Sequence, residues 1–499
     1  MLDDVYQPWI AGGKEGMKVL HALECDSDDS IILLYTNDVH SHWEGVTRLA
    51  ALIRHYRARF GERVVLLDGG DHMDRAFSET EGTYGAANLN LMNALRYDAG
   101  VIGNNEGLTF EPERLGGVYR KWGQCPMLAA NVFELDSGAR PDWLRPWIRL
   151  ERNGHRIGIV GVTASYPDYY KLLGWDVTDP LDAVAGAVAE LRPAVDLLIV
   201  VSHCGLPVDE RMAERIDGID LILGGHTHHL LQEGKRIKDT WLLAAGKHGD
   251  YLGVMEYCRR AGKIHIKPYC IPTAGTEPDK LIVQELERWR QEAARHLSAP
   301  VAVLSEPLAA HLAKPSPLGQ LLAQGLRSAA KADIGIVNAG QLLGHIPAGE
   351  VTEGMLHAIC PSPINPVRMQ LRGAALRQAL QESLKDEWIR KAIRGYGFRG
   401  TELGTLCFDG LRVEVIDYGD ETGIRLWRED GREILDLDVL SVGSIDMFVF
   451  GAGYLSLKQG ENIQFLLPDF LRDILKAQLQ NERELERCRD SRFTLTTLD

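Results

Sequence analysis

Five short segments of the chain carry carboxylate, amide or imidazole side chains directly after runs of apolar residues. Each apolar run has the length of a buried strand, so each polar segment is expected at a strand's carboxyl end. Ligands gather at that edge in open α/β sheets, and glycines there let the backbone approach an ion or a phosphate. The segments are Thr36 to His40, Asp68 to Asp71, Gly103 to Glu106, Ser202 to Gly205 and Gly224 to His229.

The side chains of these segments are oxygen and nitrogen donors for a metal. Asp38 and His40 are two residues apart, as are His226 and His228. If the backbone is extended, the members of each pair point to the same side, because side chains alternate along a strand. Mixed carboxylate, amide and imidazole donors suit Mn, Zn, Fe or Mg rather than a thiolate-bound structural zinc. The spacing therefore predicts a metal site.

Structural roles are the alternative for three neighbours of these candidates. Asp68 falls within its strand and is interpreted as a structural carboxylate, which leaves Asp71 as the ligand. A single buried histidine such as His203 is more often a satisfied core residue, so its assignment depends on the other segments. His229 is expected to point away from His228 and not to bind metal.

The order of the five segments resembles the calcineurin-like metallophosphoesterases, in particular bacterial 5'-nucleotidases with an added C-terminal domain. The family's D-x-H, G-D, G-N-H-E, strand-H and G-H-x-H motifs are similar to the segments above. The resemblance implies two divalent cations, bridged by one aspartate. It implies a first cation held by Asp38, His40, Asp71 and His228, and a second held by Asp71, Asn104, His203 and His226.

Strand-like and helical runs alternate from Ile31 to about Ile271, which predicts an α/β domain with a parallel or mixed sheet. The family resemblance implies a two-sheet β-sandwich flanked by helices, although the alternation alone equally fits a single doubly wound sheet. A charged segment from Lys280 to His296 is predicted to be a linker helix. We expect an extension over 1–29, a metallophosphoesterase domain over 30–275, the linker over 276–298 and a smaller α/β, 5'-nucleotidase-like substrate domain over 299–499.

Composition limits the partners and the compartment. A formal net charge of -15 over 499 residues argues against nucleic acid or an anionic membrane, whereas bound cations would still attract a small phosphorylated substrate. The 8 cysteines are scattered without a C-x-x-C pair, as in reduced proteins. Residues 1–29 are acidic and do not have the pattern of a secretory signal. We therefore expect a cytoplasmic protein.

The chain departs from the family at three places. The family's G-N-H-E-F-D reads Gly103 to Leu108 here, so that Asn105 replaces the histidine and Leu108 the aspartate that orients it. In the C-terminal domain Leu343 replaces the substrate-binding arginine. The aromatic block over 446–454 lacks the family's Gly-Gly-Asp. Aromatic faces for a nucleotide base are expected instead from Phe398, Phe448 and Phe450, for which core packing is the alternative.

These observations predict a metal-dependent phosphomonoesterase that acts on a nucleotide or a related small phosphorylated metabolite. Two cations would activate a water and clamp the phosphate, while Asn104 and Asn105 would lie beside the phosphoryl group. The alternatives are a phosphodiesterase, a pyrophosphate-bond hydrolase, and a metal-binding regulatory protein with little turnover. The oligomeric state is left open.

Overall fold

A computed structural model describes residues 30–260, 263–417 and 422–497. The predicted extension over 1–29 lies outside the described residues. The chain divides into two compact units, of which the first ends at Ala293 and the second begins at Ala294.

The first unit contains two sheets that pack face to face. The order is β15-β14-β1-β2-β3-β4-β6 in the first sheet and β12-β13-β11-β10-β8-β7 in the second. The central strands β1 to β4 run parallel, as do β8, β10, β11 and β13. The strands of this unit are β1 (Ser30–Thr36), β2 (Val64–Asp68), β3 (Ala99–Val101), β4 (Met127–Leu128), β5 (Val132–Glu134), β6 (Leu144–Arg145), β7 (Trp147–Arg152), β8 (His155–Thr163), β9 (Trp175–Val177), β10 (Leu197–His203), β11 (Leu221–Gly224), β12 (Lys235–Ile237), β13 (Thr240–Leu243), β14 (Tyr251–Arg260) and β15 (Lys263–Pro272).

Strand β1 shows why two sheets form. Every residue of β1 is buried, and successive side chains enter different cores. Ile31, Leu33 and Tyr35 pack in the cluster shared with the second sheet. Ile32 and Leu34 pack in the cluster shared with the helices. A strand that is apolar on both faces needs a layer on each side, and in this unit the second sheet forms one layer and the helices form the other.

Helices cover the outer faces of the sheets. Three of them are α1 (Trp43–Phe60), α3 (Ala86–Leu95) and α7 (Pro180–Leu191). The others in this unit are α2 (Ser78–Thr83), α4 (Asn104–Thr109), α5 (Pro112–Trp122), α6 (Pro167–Leu172) and α8 (Leu206–Arg215). The two-sheet sandwich flanked by helices that the family resemblance implied is confirmed.

The charged segment after the first unit's last strand forms α9 (Lys280–Leu297). Asp279 accepts hydrogen bonds from the backbone N–H groups of Leu281 and Ile282, both at 3.0 Å, and so caps the helix start. Ile282, Leu286 and Trp289 pack in the first unit's helix-side core. The predicted linker is therefore a helix whose first turns belong to the first unit's core.

The second unit is a smaller α/β structure around a five-stranded sheet of order β20-β17-β23-β19-β24, with a two-stranded pair β16-β18 and a three-stranded sheet β22-β21-β25. Its strands are β16 (Pro300–Leu304), β17 (Ile334–Asn338), β18 (Gly349–Thr352), β19 (Pro366–Arg372), β20 (Leu406–Asp409), β21 (Leu411–Asp417), β22 (Thr422–Arg428), β23 (Val439–Ile445), β24 (Glu461–Phe465) and β25 (Phe493–Thr497). Its helices are α10 (Pro317–Ala329), α11 (Glu353–Ile359), α12 (Gly373–Glu382), α13 (Asp386–Ile389), α14 (Asp446–Val449), α15 (Leu471–Leu479) and α16 (Glu482–Arg487).

None of the helices in the described part of the chain combines the length and the apolar character that crossing a bilayer requires.

Candidate metal centre

The predicted ligands lie at the carboxyl ends of strands from both sheets. Asp38 and His40 follow β1, Asp71 follows β2, and Asn104 begins α4 shortly after β3. In the second sheet, His203 is the last residue of β10, while His226 and His228 follow β11.

The backbone of the paired candidate ligands is left-handed rather than extended. Asp38 and His40 have φ of 51° and 48°, and His226 and His228 have φ of 71° and 56°. The expectation that each pair shares a face of extended backbone was therefore wrong. Such left-handed residues each cost about 1–3 kcal/mol and gather at functional sites. Backbone hydrogen bonds from Asp38 N to Gly70 O at 2.9 Å and from His40 N to Asp71 O at 2.8 Å hold the turn.

Among the residues that the structure describes, two groups of side chains have ligand atoms within 4.8 Å of one another. The first comprises Asp38, His40 and His228, and the second comprises Asp38, Asp71 and His203. In the first group the Nε2 atoms of His40 and His228 are 3.2 Å apart, and Asp38 Oδ1 lies 3.4 Å from His228 Nε2. A tetrahedral ion with bonds of 2.0–2.1 Å separates its nitrogen ligands by about 3.3 Å, so this spacing suits a shared ion.

His203 presents one ring nitrogen to the centre. Its Nδ1 lies 2.7 Å from the carbonyl oxygen of Gly69, which can only accept, so Nδ1 carries the proton. The side chain is fully buried, and Nε2 has no hydrogen-bond partner among the described residues. A backbone carbonyl that fixes the tautomer of a histidine is the usual support of a metal ligand.

Asp71 faces both groups with different oxygens. Its Oδ1 lies 3.3 Å from His203 Nε2, and its Oδ2 lies 3.8 Å from His40 Nε2. Asp38 is a member of both groups through Oδ1, whereas its Oδ2 accepts a hydrogen bond of 2.8 Å from Asn37 Nδ2. Two oxygens directed to two sites are what the predicted bridging role of Asp71 requires.

The two asparagines predicted to be catalytic have different surroundings. Asn104 Oδ1 is buried without a hydrogen-bond partner among the described residues, as expected of an oxygen that meets a cation or a phosphate. The amide nitrogen of Asn105 lies 3.0 Å from His40 Nδ1 and donates to Met73 O at 3.1 Å. The side-chain nitrogen of Asn105 thus already has two contacts within the protein, one of them with the predicted ligand His40.

His226 lies outside both ligand groups. Its backbone N–H contacts both carboxylate oxygens of Asp38 at 3.0 Å, and its Nε2 lies 2.8 Å from the hydroxyl of Tyr166. Sequence reasoning missed Tyr166, because a single tyrosine after β8 carries no motif. His229 is exposed, and its Nδ1 lies 2.9 Å from Thr227 Oγ1.

Glu106 was also overlooked as a supporting residue, although the G-N-x-E segment contains it. Its Oε2 accepts hydrogen bonds from Gly103 N at 2.8 Å and Asp71 N at 3.2 Å, and its Oε1 accepts one from Met73 N at 2.8 Å. Burial, followed by the charge of Asp71, raises the pKa of Glu106 to about 8. This carboxyl group fixes the loop that carries Asp71.

The centre is electrostatically prepared for positive charge. Burial opposes the charged form of His203, but the carboxylates of Asp71 and Asp38 outweigh burial and raise its pKa to about 10. Although burial alone would raise it, the pKa of Asp71 is lowered, chiefly by His203. A Cβ at Gly225 would lie 2.9 Å from His203 Nδ1 and 3.2 Å from Asp38 Oδ2, so the cradle admits only glycine. The proton that His203 retains beside these carboxylates supplies positive charge at the position where a bound cation would supply it. The set of carboxylate, imidazole and amide donors fits divalent ions.

The predicted substrate residues of the second unit differ in exposure. Phe398 and Phe448 are core residues with exposed fractions of 5% and 0%, whereas Phe450 is 41% exposed and stacks on Phe465 at 6.1 Å between ring centroids. Leu343, which replaces the arginine, is 49% exposed. Of the three rings, Phe450 is the one that is substantially exposed to solvent.

Comparison with known proteins gives two family matches. Residues 32–230 match the calcineurin-like phosphoesterases, and residues 300–421 match the 5'-nucleotidase C-terminal domain. An uncharacterized metallophosphoesterase of Bacillus subtilis, YunD, is 34% identical over 463 residues, which cover 90% of this chain and 99% of that protein. A 5'-nucleotidase of Vibrio cholerae is 25% identical over 400 residues, covering 66% of this chain and 71% of the relative.

Among solved structures, a putative 5'-nucleotidase from Staphylococcus aureus shares the fold with a TM-score of 0.63 and 15% identity, covering 94% of this chain and 100% of the other. The match to YunD over nearly its full length, together with both domain matches, shows the family. The chain therefore belongs to the calcineurin-like metallophosphoesterases with a 5'-nucleotidase C-terminal domain, and it is a metal-dependent hydrolase of phosphoester bonds.

Proposed function

We propose that the protein is a two-metal phosphomonoesterase whose substrate is a nucleotide or a related small phosphorylated metabolite. The observation that carries this proposal is a pair of ligand groups that share Asp38, with Asp71 facing His203 through one oxygen and His40 through the other. His203 Nε2 and Asn104 Oδ1 are buried there without a hydrogen-bond partner among the described residues. A buried polar atom left unsatisfied costs about 1–3 kcal/mol. Such atoms on facing strand ends support a site whose remaining partners are cations and substrate.

Seven residues would hold two divalent ions, with Mn, Zn, Fe and Mg as the candidates. When bound, the ions would lower the pKa of a water and neutralise phosphate oxygens. We assign the ligands as in the family pattern, with Asp71 in both sets: Asp38, His40, Asp71, Asn104, His203, His226 and His228. The protein's part is orientation: Gly69 O fixes His203, and Glu106 fixes the Asp71 loop.

We propose that the second unit holds the part of the substrate that is distant from the phosphate. The match of residues 300–421 to the 5'-nucleotidase C-terminal domain supports this role, and so does the similarity of the chain to a 5'-nucleotidase of Vibrio cholerae. Phe450 is the proposed stacking residue, because its ring is exposed. We propose that the metallophosphoesterase domain ends at 275, that the linker covers 276–298 and that the substrate domain begins at 299.

A second candidate is the hydrolysis of phosphodiesters or pyrophosphate bonds with a leaving group of low pKa. The observation that favours it is the engagement of Asn105 by His40 and Met73. An asparagine also has no proton to give at neutral pH. Leaving groups that need no protonation would then react best.

We propose a cytoplasmic role in nucleotide catabolism. All the cysteines that the structure describes are free thiols, and most of them are buried, as is usual in a reducing compartment. The net charge of -15 favours a small substrate over nucleic acid or an anionic membrane as partner.

The test is a hydrolysis screen with apo protein reloaded with each metal in turn. The substrates are nucleoside 5'-phosphates, sugar phosphates, an aryl phosphate, cyclic nucleotides and nucleotide sugars. Turnover of the monoesters would support the first candidate, and turnover confined to cyclic nucleotides or nucleotide sugars would support the second. A reloaded protein that hydrolyses none of them would contradict both.

A further inference from the structure

The helix α6 fits into a notch in the segment that replaces the family's G-N-H-E-F-D motif. Tyr170 of α6 is fully buried. A Cβ at Gly107 would lie 2.7 Å from both the Cε1 and the hydroxyl oxygen of Tyr170. A side chain at position 107 would therefore displace α6. The position of α6 thus depends on the glycine at position 107.

Packing of α6 on the notch carries Tyr166 to the metal centre. Tyr166 immediately precedes the helix, and its carbonyl oxygen accepts hydrogen bonds of 3.0 Å from the N–H groups of Tyr169 and Tyr170. Its ring lies 5.9 Å from the ring of His226 between centroids, and its hydroxyl lies 2.8 Å from His226 Nε2. The side chain remains 36% exposed, so the phenol borders both the centre and solvent.

The hydrogen bond to His226 uses the oxygen of the Tyr166 hydroxyl as an acceptor and leaves its O–H available as a donor. A histidine that binds a cation does so through a nitrogen without a proton. Because Nε2 faces Tyr166, Nδ1 is the nitrogen available to a cation, and Nε2–H would donate to the Tyr166 oxygen. The tyrosine O–H would then point to another acceptor. Among the described residues the hydroxyl has no second hydrogen-bond partner.

Asn105 does not compete for this function, because its amide nitrogen already contacts His40 Nδ1 and Met73 O. We propose that Tyr166 is a substrate-binding residue of the centre, whose hydroxyl, held by His226, donates a hydrogen bond to a non-bridging oxygen of the bound phosphoryl group. This inference rests on the proposed function, since it assumes a phosphoryl group at the centre. A hydrogen bond to a charged acceptor strengthens binding about tenfold to a hundredfold.

The test compares Tyr166→Phe with Tyr169→Phe, a matched loss of a hydroxyl on the same segment. Both variants and the wild type are loaded with metal, and their metal content is measured by elemental analysis. The dissociation constant of inorganic phosphate is then measured by titration calorimetry. We expect full metal content in all three proteins, a phosphate dissociation constant raised about 10- to 100-fold in Tyr166→Phe, and no change in Tyr169→Phe. Unchanged thermal unfolding of Tyr166→Phe establishes that the variant is folded.

Two results would overturn the inference. Phosphate affinity of Tyr166→Phe within twofold of the wild type would show that the hydroxyl does not contact phosphate. Loss of a metal ion from Tyr166→Phe would show that the tyrosine acts only through His226. Phosphate binding is measured without turnover, so the result stands even if the substrate screen fails, and the two proposals are distinguishable.

Discussion

Oδ1 of Asp71 lies 3.3 Å from Nε2 of His203 in a geometry that makes no hydrogen bond. Since the other oxygen of Asp71 faces His40, removal of this carboxylate should leave too few ligands for either ion.

We accordingly expect Asp71→Ala to lose both metal ions, measured by elemental analysis after loading and desalting. Asp68→Asn is the matched control, because Asp68 is equally buried but accepts hydrogen bonds from Thr36 Oγ1 and Gly70 N instead of facing the ligands. Asp68→Asn should retain its metal. Full metal content in Asp71→Ala would refute the bridging assignment.

The loss of the histidine at position 105 predicts a steep dependence of rate on leaving-group pKa. General-acid catalysis contributes about 10²–10⁴-fold, and neither Asn105 nor Leu108 can supply it. Aryl phosphates and pyrophosphate linkages should therefore be hydrolysed much faster than alkyl phosphates, as measured over a series of leaving groups.

Two variants sharpen this prediction. His72, which follows Asp71, is buried against Asn88 and Tyr97, and burial lowers its pKa to about 4. His72→Ala should leave the slope of the series unchanged. The double change Asn105→His with Leu108→Asp should flatten it. A series that is already flat in the wild type would mean that another group protonates the leaving oxygen.

The aromatic residues of the second unit should separate into substrate contacts and core. Phe450→Ala should raise KM for a nucleotide and leave an aryl phosphate unaffected, because the exposed ring is lost and the core is not. Phe448→Ala should instead destabilise the unit by about 3–5 kcal/mol, the usual cost of removing a buried phenylalanine side chain. Steady-state kinetics on both substrates and urea unfolding distinguish the two. Equal KM values for wild type and Phe450→Ala would exclude stacking on this ring.

A fragment that ends near His296, at the end of α9, should fold, bind metal and hydrolyse a small aryl phosphate better than a nucleotide. All the proposed ligands precede α9, and the first turns of α9 pack in the first unit's core. Calorimetric unfolding and metal analysis of the fragment check the first part, and kinetics check the second. Nucleotide turnover equal to that of the full chain would contradict the proposed role of the second unit.

Asp409 should be the main acid-sensitive ion-pair site of the second unit. It is fully buried and lies 2.8 Å from Arg487 Nη1 and from Arg492 Nη2. Arg327 also pairs with it at 3.1 Å. Burial opposes the charge, but the guanidinium groups of Arg492, Arg487 and Arg327 keep the pKa of Asp409 below its ordinary value. Because the folded pKa is lowered, the stabilisation is present above the unfolded pKa of about 3.9 and is lost as the pH falls through the folded pKa.

Asp409→Asn should reduce the free energy of unfolding by about 3–5 kcal/mol at neutral pH, since it removes the carboxylate charge that faces the guanidinium of Arg492, whose side chain is 8% exposed. Urea denaturation checks this value. The control is Asp436→Asn, whose side chain is 66% exposed and pairs with Arg377 at 3.0 Å, and which should cost less than about 1 kcal/mol. Equal losses in the two variants would be inconsistent with the argument.

Local patterns in the sequence were sufficient to predict the candidate ligand segments and an α/β domain, whereas the two-sheet sandwich was implied by the family resemblance. The run from Ile31 to Tyr35 is apolar at every position, and a strand of this kind must be covered on both faces. The carboxylates and imidazoles at the ends of such strands are adjacent in the chain to the runs that position them. Both signals are short in sequence, so they could be recognised without knowledge of long-range contacts.

Periodicity could not distinguish Phe448 from Phe450. Two residues apart in a strand, the rings would share a face, but the structure places the short helix α14 there, ending at Val449. At 3.6 residues per turn, side chains two positions apart face nearly opposite directions. Phe448 is therefore fully buried, while Phe450 is 41% exposed.

By itself, the sequence determined which residue types stand at which strand ends, because hydrophobic runs and polar clusters are local properties of the chain. Only the tertiary structure decided that Asp38 and His40 meet through left-handed backbone, since the sign of φ depends on the loops packed around them. Only the tertiary structure brought Tyr166 to His226, 60 residues away. That contact depends on how α6 packs against Gly107, and packing between distant segments leaves no periodic trace in a single sequence.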